Sequence, residues 1–468
     1  MLTCIPLLRS QPFGELFEMQ GFIPHTASEI EEMLGFLGLQ KIEELFDSIP
    51  QSIRLAEGAL DVPAGISEPD LLERMEDFAS RNTPTSADLV CFAGGGAYDH
   101  GIASATKALA SRSEFVTAYT PYQPEVAQGV LQALFEYQTL VSRLSGLPIS
   151  NASLYDGASA LVEAVNLCTA QKRNNLVWMS QGINPSFREV VRTFAIGTGH
   201  RIVEIPLREG VTIWPATAEE MPGVIVVGYP SYLGVIEDMP SIKEFVQRND
   251  IRLVVVYDPV SMALLKSPGS FEADVAVAEG QAFGVGLNFG GPYVGLFSTR
   301  NEFVRLLPGR LVGETVDGRG RKGYVTTLRT REQDIRREKA SSNVCTNQTL
   351  IAITAAIQLS WLGKAGLKEL AQRCYAGTEY LKKLLVQSGS AFTLLYQGAT
   401  VREFAVKTPI APETVVDRMV EEGFLAGIPL TSGFEGSDVH GSLLLSVTER
   451  RNTQEIDRFV DAMQRVVK

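Results

Sequence analysis

The sequence predicts an α/β protein with a mainly parallel sheet in a large domain, a smaller α+β C-terminal domain and an N-terminal helical arm. From about residue 85 to 330, apolar strand-like runs alternate with helical patterns. This alternation is typical of parallel sheets with helices on both faces, because their strands are buried on both sides and therefore continuously apolar. We place the arm at 1–80, the large domain at 81–345 and the C-terminal domain at 346–468.

Two short amphipathic helices are predicted in the arm. Thr26 and Glu29 have capping-box spacing, and apolar residues then recur at helical intervals as far as Leu37. A second amphipathic piece begins at Ile42 and ends before Pro50. Each helix has one apolar face that must be covered, so we interpret the segment as a packing arm.

The large domain contains several continuous apolar runs that predict buried strands. These runs are Asn175–Met179, Gly223–Tyr229, Leu253–Asp258 and Ala273–Ala278. Ligands of such sheets bind beyond the carboxyl ends of the strands. We therefore expect Tyr229-Pro230, Asp258 and Gly280-Gln281 to share one crevice.

The C-terminal domain is predicted from a change of pattern after residue 348. A helical stretch at Leu350–Leu362 leads into it, and Asn452 with Glu455 opens a last helix. The strand-like segments are Phe392–Tyr396, Glu403–Lys407 and Leu443–Val447. We see no internal repeat or low-complexity linker, so the pieces are expected to fold as one unit.

Composition limits the class of partner. The 468 residues are 45% hydrophobic, which suits a folded core, and the formal charge of −12 opposes binding to nucleic acid or anionic lipid. We see no apolar run near the roughly 20 residues that span a bilayer. The first 20 residues carry Glu15 and Glu18, which fits neither a signal nor a transit peptide. We expect a cytoplasmic protein without a membrane or nucleic-acid partner.

The five cysteines and four histidines are scattered along the chain. Without a C-x-x-C pair or a histidine close to a cysteine in sequence, this usage suits a reducing cytoplasm and predicts no metal site.

Two glycine-containing motifs each have two interpretations. Gly94-Gly95-Gly96 invites nucleotide binding, but it lacks the later glycine and lysine that such motifs need, so a tight turn explains it better. Asp156, Gly157 and Ser159 precede a helical run and could form half of a phosphate cup at the helix N-terminus. Asp156 would repel a phosphate there, so we favour its role as a helix cap.

The stretch Asp274–Gly295 resembles the cofactor-lysine segment of a pyridoxal-phosphate enzyme without its lysine. In such enzymes an aspartate on one strand pairs with the pyridinium, and the Schiff-base lysine follows a later strand. Asp258 stands at the first position, but Gln281 stands near the second, and an amide cannot form an imine. Lys266 precedes the strand and Lys322 lies far beyond it. Without the lysine, we expect Asp258 to pair with a nearby cation or backbone donor in preference to a pyridinium.

Polar and aromatic loops provide candidates for partner contact or for access to a catalytic pocket. One cluster contains Tyr98 and His100, and the other contains Tyr119, Tyr122 and Gln123. The basic stretch 329–339 alternates with acids, which usually indicates a solvated or salt-bridged face. One of its arginines could still serve a partner's active site.

Four separate blocks of sequence resemble the glycine decarboxylase P-protein family. The blocks are Ile30–Leu55, Ala93–Gly129, Asn151–Gly157 and Pro308–Asn347. The resemblance runs from about residue 15 to the end, and it is to the alpha subunits of the family's two-subunit form. It implies the fold of type I pyridoxal-phosphate enzymes, with the cofactor lysine carried by a beta subunit.

The resemblance also implies the activity and the partners. With the beta subunit, the chain would form an oxidoreductase, a heterotetramer that decarboxylates glycine on pyridoxal phosphate and passes the aminomethyl group to lipoylated H-protein. Tyr98, His100, Tyr119, Tyr122 and Gln123 would then be candidates for the beta contact or the lipoyl path. Two rivals are a self-sufficient enzyme that uses Lys266 and a regulatory protein that kept only the fold.

Overall fold

The computed structural model describes residues 24–55, 59, 61–83, 89–387, 389–431, 433–434 and 438–468. The first 23 residues, on which the expectation about targeting peptides rests, lie outside the described residues. The chain divides into two compact units, Met1–Asn82 and Thr83–Lys468. The further division of the second unit at residue 345 stays a prediction.

The described residues of the N-terminal unit include two α-helices. Helix α1 covers Ala27–Leu37, and the predicted capping box is confirmed because Thr26 caps Glu29 and Glu29 caps Thr26 in return. The second predicted helix is only a 3₁₀ turn over Ile42–Phe46. Helix α2, Glu68–Ser80, was not predicted, although Ser67 caps its N-terminus.

The second unit consists of many alternating strands and helices. Its strands are β1 Val90–Cys91, β2 Ile149–Ser150, β3 Leu176–Ser180, β4 Arg201–Ile205, β5 Leu207–Arg208, β6 Val211–Thr212, β7 Val224–Tyr229, β8 Arg252–Tyr257, β9 Val275–Glu279, β10 Gly295–Thr299, β11 Leu311–Val316, β12 Lys322–Thr327, β13 Thr393–Leu394, β14 Glu403–Lys407, β15 Phe424–Leu425, β16 Ile428–Leu430 and β17 Ser442–Ser446. Its helices are α3 Ser104–Ala110, α4 Ser113–Val116, α5 Gln128–Ser145, α6 Gly157–Lys172, α7 Pro185–Thr198, α8 Met239–Asn249, α9 Gln333–Arg336, α10 Thr349–Leu385, α11 Pro412–Glu421 and α12 Thr453–Val466.

A seven-stranded sheet forms the centre of this unit. Its order is β2-β10-β9-β8-β7-β3-β4, and β9, β8, β7, β3 and β4 pair in parallel, whereas β10 is antiparallel to both neighbours. The prediction of a mainly parallel sheet is therefore confirmed. The four predicted strands correspond to β3, β7, β8 and β9, with ends that differ by one or two residues.

Both faces of the sheet are buried, which explains the continuous apolar runs. Side chains from α5, α10 and one face of the sheet form one core, which includes Leu134, Val255 and Ile353. Side chains from α6, α7 and the opposite face form a second core, which includes Val165 and Val226. The carboxyl ends of β3, β7, β8 and β9 meet at one edge of this layered structure.

A smaller antiparallel sheet, β13-β14-β17-β16, lies in the C-terminal part of the chain. Its core includes side chains from α11 and α12, and the predicted capping box of Asn452 and Glu455 opens α12. Strand β1 pairs with β15, and Phe92 stacks on Phe459 at 4.0 Å between ring centroids. Residues 90–92, which we placed in the large domain at 81–345, thus pack with the C-terminal elements. This packing was not predicted because strand pairing between distant segments leaves no local sequence pattern.

Helix α10 is longer than predicted. It continues from Thr349 to Leu385 across a break at Gly363, where φ is 59° and ψ is −175°. In the described part of the chain it is the one helix whose length and composition would suffice to cross a membrane, a feature that we did not expect. The core helices of proteins outside membranes can have the same length and composition, so this feature by itself does not indicate a membrane span. Ala352, Ile353 and Leu359 of α10 are buried in the core beside α5.

Candidate functional site

A cavity of about 100 Å³, which we call the crevice, lies at the carboxyl ends of β3, β7, β8 and β9, where ligands of α/β sheets bind. Residues near the start of β14 and the loop before α3 complete its wall. Its polar and aromatic lining includes Tyr98, Asn184, Tyr232, Asp258, Glu279, Arg402 and Glu403. Pro230 and Asp258 line it, as expected, whereas Gln281 lies just behind the wall and contacts Tyr98.

Asp258, directly after β8, is paired with a cation from the C-terminal part of the chain. Its carboxylate accepts a hydrogen bond from Nη2 of Arg402 and another from the Ser261 hydroxyl. The backbone N–H of Ser261 donates to it at 3.2 Å. We expected a cation or a backbone donor at Asp258, and the structure supplies both.

Arg402 links the crevice to a second buried group. Only 4% of its surface is exposed, its guanidinium lies 3.5 Å from the ring centroid of Tyr98, and its Nη1 donates to Nε2 of His100. Burial is the largest single influence and lowers the pKa of Arg402, but Asp258, followed by Tyr98, Cys374 and Glu403, together outweigh it and leave the pKa raised. The Arg402 cation is therefore held in place by intramolecular contacts on three sides.

The contacts of His100 determine its tautomer. Arginine only donates hydrogen bonds, so Nε2 of His100 accepts from Arg402 and the proton lies on Nδ1. Nδ1 then donates to Glu449 across 2.6 Å, and the backbone N–H of Gly101 donates to the same carboxylate at 2.7 Å. Burial would raise the pKa of Glu449, but the hydrogen bonds from His100 and Gly101 lower it, as does the charge of His100 when it is protonated.

Glu403 ties the glycine turn at 94–96 to the C-terminal sheet. Its carboxylate accepts from the backbone N–H of Gly95 at 2.6 Å and from the hydroxyl of Tyr98 at 2.9 Å. Burial raises its pKa to about 7. A side chain at Gly94 would collide with Glu403, and Gly95 has φ of 75°. The geometry supports the tight-turn interpretation of these glycines.

Gln281, near the position of the Schiff-base lysine in the resembling enzymes, is buried and fully hydrogen-bonded. Its Oε1 accepts from the backbone N–H of Tyr98 at 2.8 Å. Its Nε2 donates to the carbonyls of Tyr98 at 3.0 Å and Val285 at 2.8 Å. The amide thus pins the loop before α3 against the end of β9.

Two carboxylates occupy the N-terminus of α6, where the sequence suggested half of a phosphate cup. Asp156 accepts from the backbone N–H of Ser159 at 2.7 Å, which is the cap that we favoured. Glu279 accepts from the N–H of Gly157 at 2.9 Å, and burial raises its pKa to about 7. Two of the N–H groups that could hold an anion at this helix end, those of Gly157 and Ser159, are therefore already used by the chain's own acids.

Comparisons with known proteins identify the family. A family model described as glycine cleavage system P-protein matches residues 20–463. A probable glycine dehydrogenase (decarboxylating) subunit 1 of Desulforamulus reducens is 43% identical over 439 residues, which cover 93% of this chain and 97% of that protein. The chain belongs to the glycine cleavage system P-protein family. A solved glycine decarboxylase (P-protein) of the glycine cleavage system, in inhibitor-bound form, has a TM-score of 0.88 and 39% identity, and the match covers 96% of this chain and 100% of that one.

More distant structures show the fold class of this P-protein chain. A cysteine desulfurase from Escherichia coli has a TM-score of 0.58 at 14% identity, and the match covers 86% of this chain and 99% of that one. At this identity the likeness concerns the fold alone. The mainly parallel sheet and these neighbours together agree with the predicted fold type I of pyridoxal-phosphate enzymes.

The crevice of this P-protein chain does not fit pyridoxal phosphate. Covalent attachment needs a lysine amine, and an amide at 281 cannot supply one. The phosphate would meet the carboxylates of Asp156 and Glu279 at the N-terminus of α6, and the pyridinium partner Asp258 is already paired with Arg402. Lys266 is exposed and is not among the residues that line the crevice.

The remaining predicted site residues fall into two groups. Tyr98 and His100 lie inside the chain, against Arg402, Glu403 and Glu449. Tyr119, Tyr122 and Gln123 are exposed on the loop before α5, and Tyr122 lies beside Arg310. The structure therefore does not bring the two polar-aromatic clusters into one site.

Sequence reasoning missed Arg402, Glu403 and Glu449. They lie about 300 residues after the segment 94–101 that they contact, and no local pattern connects the two. One signal was present, since Arg402 and Glu403 directly precede the apolar strand residues Phe404–Val406. Charged residues next to a buried run need partners, which is a reason to look for them at a site.

His100, Cys374 and Glu449 form a group, here called the histidine cluster, whose ligand atoms lie within 4.8 Å of one another. Such a group could hold a metal ion, although sequence analysis predicted none. However, a neutral imidazole has one free lone pair, and Arg402 already uses it at Nε2. A metal at Nδ1 would need a second lone pair, so the geometry favours the hydrogen-bonded arrangement.

Proposed function

We propose that the chain is the alpha subunit of a two-subunit glycine decarboxylase, the P-protein of the glycine cleavage system, and that it acts only together with a beta subunit. The observation that carries this proposal is a P-protein fold in which the chain's own side chains stand at the positions where the cofactor would be attached and held. Gln281 replaces the lysine, and Asp156 and Glu279 take the place of a phosphate. The chain's kinship to proteins named subunit 1 supports a second subunit as its partner.

In this proposal the beta subunit carries pyridoxal phosphate, and this chain binds none covalently. When bound there, the cofactor supplies an electron sink for the carbanion that remains after glycine loses CO2. The aminomethyl group then passes to the lipoyl group of H-protein. We propose a cytoplasmic heterotetramer without nucleic-acid or membrane partners, in which this chain contributes walls of the shared structure.

The first experiment is glycine-dependent exchange of labelled CO2 with this chain, a beta subunit and lipoylated H-protein, each alone and in all combinations. We expect exchange only in the complete mixture, because this chain has no lysine at the cofactor position. Exchange with beta subunit and H-protein alone would contradict the proposal and leave this chain as a regulator.

A second experiment addresses the cofactor. The purified chain is incubated with pyridoxal phosphate, reduced with borohydride and mapped by mass spectrometry. We expect no reduced cofactor on Lys266 or any other single lysine at stoichiometric yield, whereas the beta subunit is labelled in parallel. A stoichiometric label on this chain would show that it carries its own cofactor.

A further inference from the structure

Two segments that lie about 200 residues apart in sequence meet in a small pocket away from the crevice. The loop containing Tyr122 faces the end of β12 and the basic stretch 329–339, and Arg310 lies between them. We call this cavity the arginine pocket. Its volume is about 40 Å³, whereas one water needs roughly 10–15 Å³, so it can admit a group of a few heavy atoms. Its polar lining includes Tyr122, Arg310, Thr326, Arg329, Glu332 and Asp334.

Arg310 is a buried cation whose hydrogen-bond partners in the described part of the chain are all neutral, and the charge of Glu332 acts on it only through space. Only 7% of its surface is exposed. Its guanidinium donates to the hydroxyl of Thr120, to Oδ1 of Asn347 at 3.3 Å and to the carbonyl of Cys345 at 3.4 Å. The ring centroid of Tyr122 lies 5.2 Å from it. A buried charge of this kind is costly unless an opposite charge compensates it.

Other buried arginines of the chain have such a charge. Arg188 pairs with Glu204, and Arg402 pairs with Asp258. Of the four arginines that are buried in the described ranges, Arg310 and Arg331 form no ion pair there. Both unpaired cations therefore lie in the same part of the protein.

Arg331 provides an independent observation. It is 8% exposed, its Nη1 donates to the carbonyl of Leu307, and its Nε and Nη2 have no partner in the described part of the chain. Oε1 of the neighbouring Glu332 is also buried without a partner. Burial lowers the pKa of Arg331 and raises that of Glu332. The region thus contains charged groups whose hydrogen-bonding capacity the described residues do not satisfy.

Residues around the arginine pocket expose apolar and aromatic surface. Tyr119 is 81% exposed and Val126 is 82% exposed, and Tyr122 and Ile335 are also exposed. Tyrosine and aliphatic side chains next to a buried arginine are typical of the centres of protein interfaces. The buried cation inside the pocket and the exposed apolar and aromatic residues around it together favour an anionic group on the surface of a partner protein.

We propose that the arginine pocket receives an anionic group, a carboxylate or a phosphate, that the second subunit presents when the two subunits associate. The proposal rests on the proposed function, because it takes the beta subunit as the partner. Thr120 and Asn347 already hold the guanidinium of Arg310 in place in the free chain. Its other N–H groups can therefore bind an anion without a further loss of side-chain freedom. The buried cation is then neutralised in the complex and not in the free chain.

Glu332 determines the sign of the test. Its carboxylate lines the same pocket and would repel an incoming anion. Replacing Glu332 with glutamine should therefore strengthen anion binding, whereas replacing Arg310 with glutamine should weaken it. If the pocket instead received a cation, both changes would act in the opposite direction.

The first measurement uses the full chain with inorganic phosphate, and in a separate arm acetate, by isothermal titration calorimetry. We expect saturable binding, weakened about tenfold or more in Arg310→Gln and strengthened in Glu332→Gln. The matched control is Arg319→Gln, an exposed arginine in the turn between β11 and β12, which should bind as the unchanged chain does. Equal binding by all four proteins would overturn the pocket as an anion site. Because Glu332→Gln is expected to gain affinity, a folding defect cannot imitate the predicted result.

The second measurement titrates the beta subunit onto the same four proteins, with and without phosphate. We expect phosphate to compete with the beta subunit and Arg310→Gln to bind it at least about tenfold more weakly. Labelled CO2 exchange by the unchanged chain is measured in the same mixtures. The pocket proposal alone would be rejected if CO2 exchange proceeds, Arg310→Gln binds the beta subunit normally and phosphate does not compete with the beta subunit. Absence of exchange in the complete mixture with the unchanged chain would reject the proposed function, whatever the phosphate titration shows.

Discussion

Replacing Gln281 with methionine should destabilise the protein by about 2–6 kcal/mol. Methionine has a similar length but no hydrogen-bonding amide. The change would leave the backbone N–H of Tyr98 without its acceptor and the carbonyl of Val285 without its donor. The Tyr98 carbonyl would keep the N–H of His100 at 2.9 Å. Each buried group left unsatisfied costs roughly 1–3 kcal/mol, so two such groups give the stated range.

The assay is equilibrium unfolding in urea, followed by tryptophan fluorescence and circular dichroism. The matched control is Gln132→Met on the exposed face of α5, where Gln132 contacts only Glu136 in the described structure and a change below about 0.5 kcal/mol is expected. A third variant, Gln281→Glu, keeps the acceptor for Tyr98 but turns an oxygen toward two carbonyls. It should be less stable at pH 8 than at pH 5, because only the protonated acid can donate to them.

The reasoning would be refuted if Gln281→Met and Gln132→Met had the same unfolding free energy as the unchanged protein. In that case the amide at the lysine position would not hold the loop before α3. A stability loss confined to Gln281→Met would establish that this position has a structural role in the present chain.

Three further predictions concern the buried charges. Asp258→Asn should cost about 3–5 kcal/mol of unfolding free energy, because it leaves Arg402 buried without its counterion; a loss below 1 kcal/mol would contradict the importance of that pair. Burial raises the pKa of Glu163 from 4.5 to about 7. Between these pH values the Glu163 carboxyl keeps its proton in the native state but loses it in the unfolded chain, so the free energy of unfolding falls as the pH rises from 4.5 to 7. Glu163→Gln should remove this loss of stability, which amounts to roughly 3 kcal/mol at pH 8. If the variant and the unchanged protein had the same dependence of stability on pH, the prediction would be wrong. Stoichiometric Zn²⁺ should leave the unfolding midpoint unchanged, whereas a clear rise that disappears in Cys374→Ser would show that the histidine cluster binds metal.

Part of the fold could be predicted from local patterns. Strands β3, β7, β8 and β9 were found because each is buried on both faces and therefore continuously apolar. The caps at Thr26, Asp156 and Asn452 were found because capping depends on residues three positions apart. Helix α2 was missed although signals for it were present, since Ser67 caps its N-terminus and Leu71, Met75 and Phe78 recur at helical spacing.

The candidate site was predictable only in part. Asp258, Gln281 and Asp156 could be placed at strand and helix ends from their immediate neighbours in sequence. Asp156 caps Ser159 locally, but the main partners of Asp258 and Gln281 lie far away along the chain. Arg402 reaches Asp258 across 144 positions, and Tyr98 reaches Gln281 across 183.

The sequence by itself determined the α/β class, the order of the main strands along the chain, the family and the absence of a lysine at position 281. These properties depend on residue type and local spacing. Tertiary structure alone decided that Arg402 neutralises Asp258, that Glu279 occupies the N-terminus of α6, and that Arg310 forms no ion pair within the described part of the chain. The physical reason is that charge pairing and hydrogen bonding act over a few ångströms in space, and only the folded chain brings such distant residues within that range.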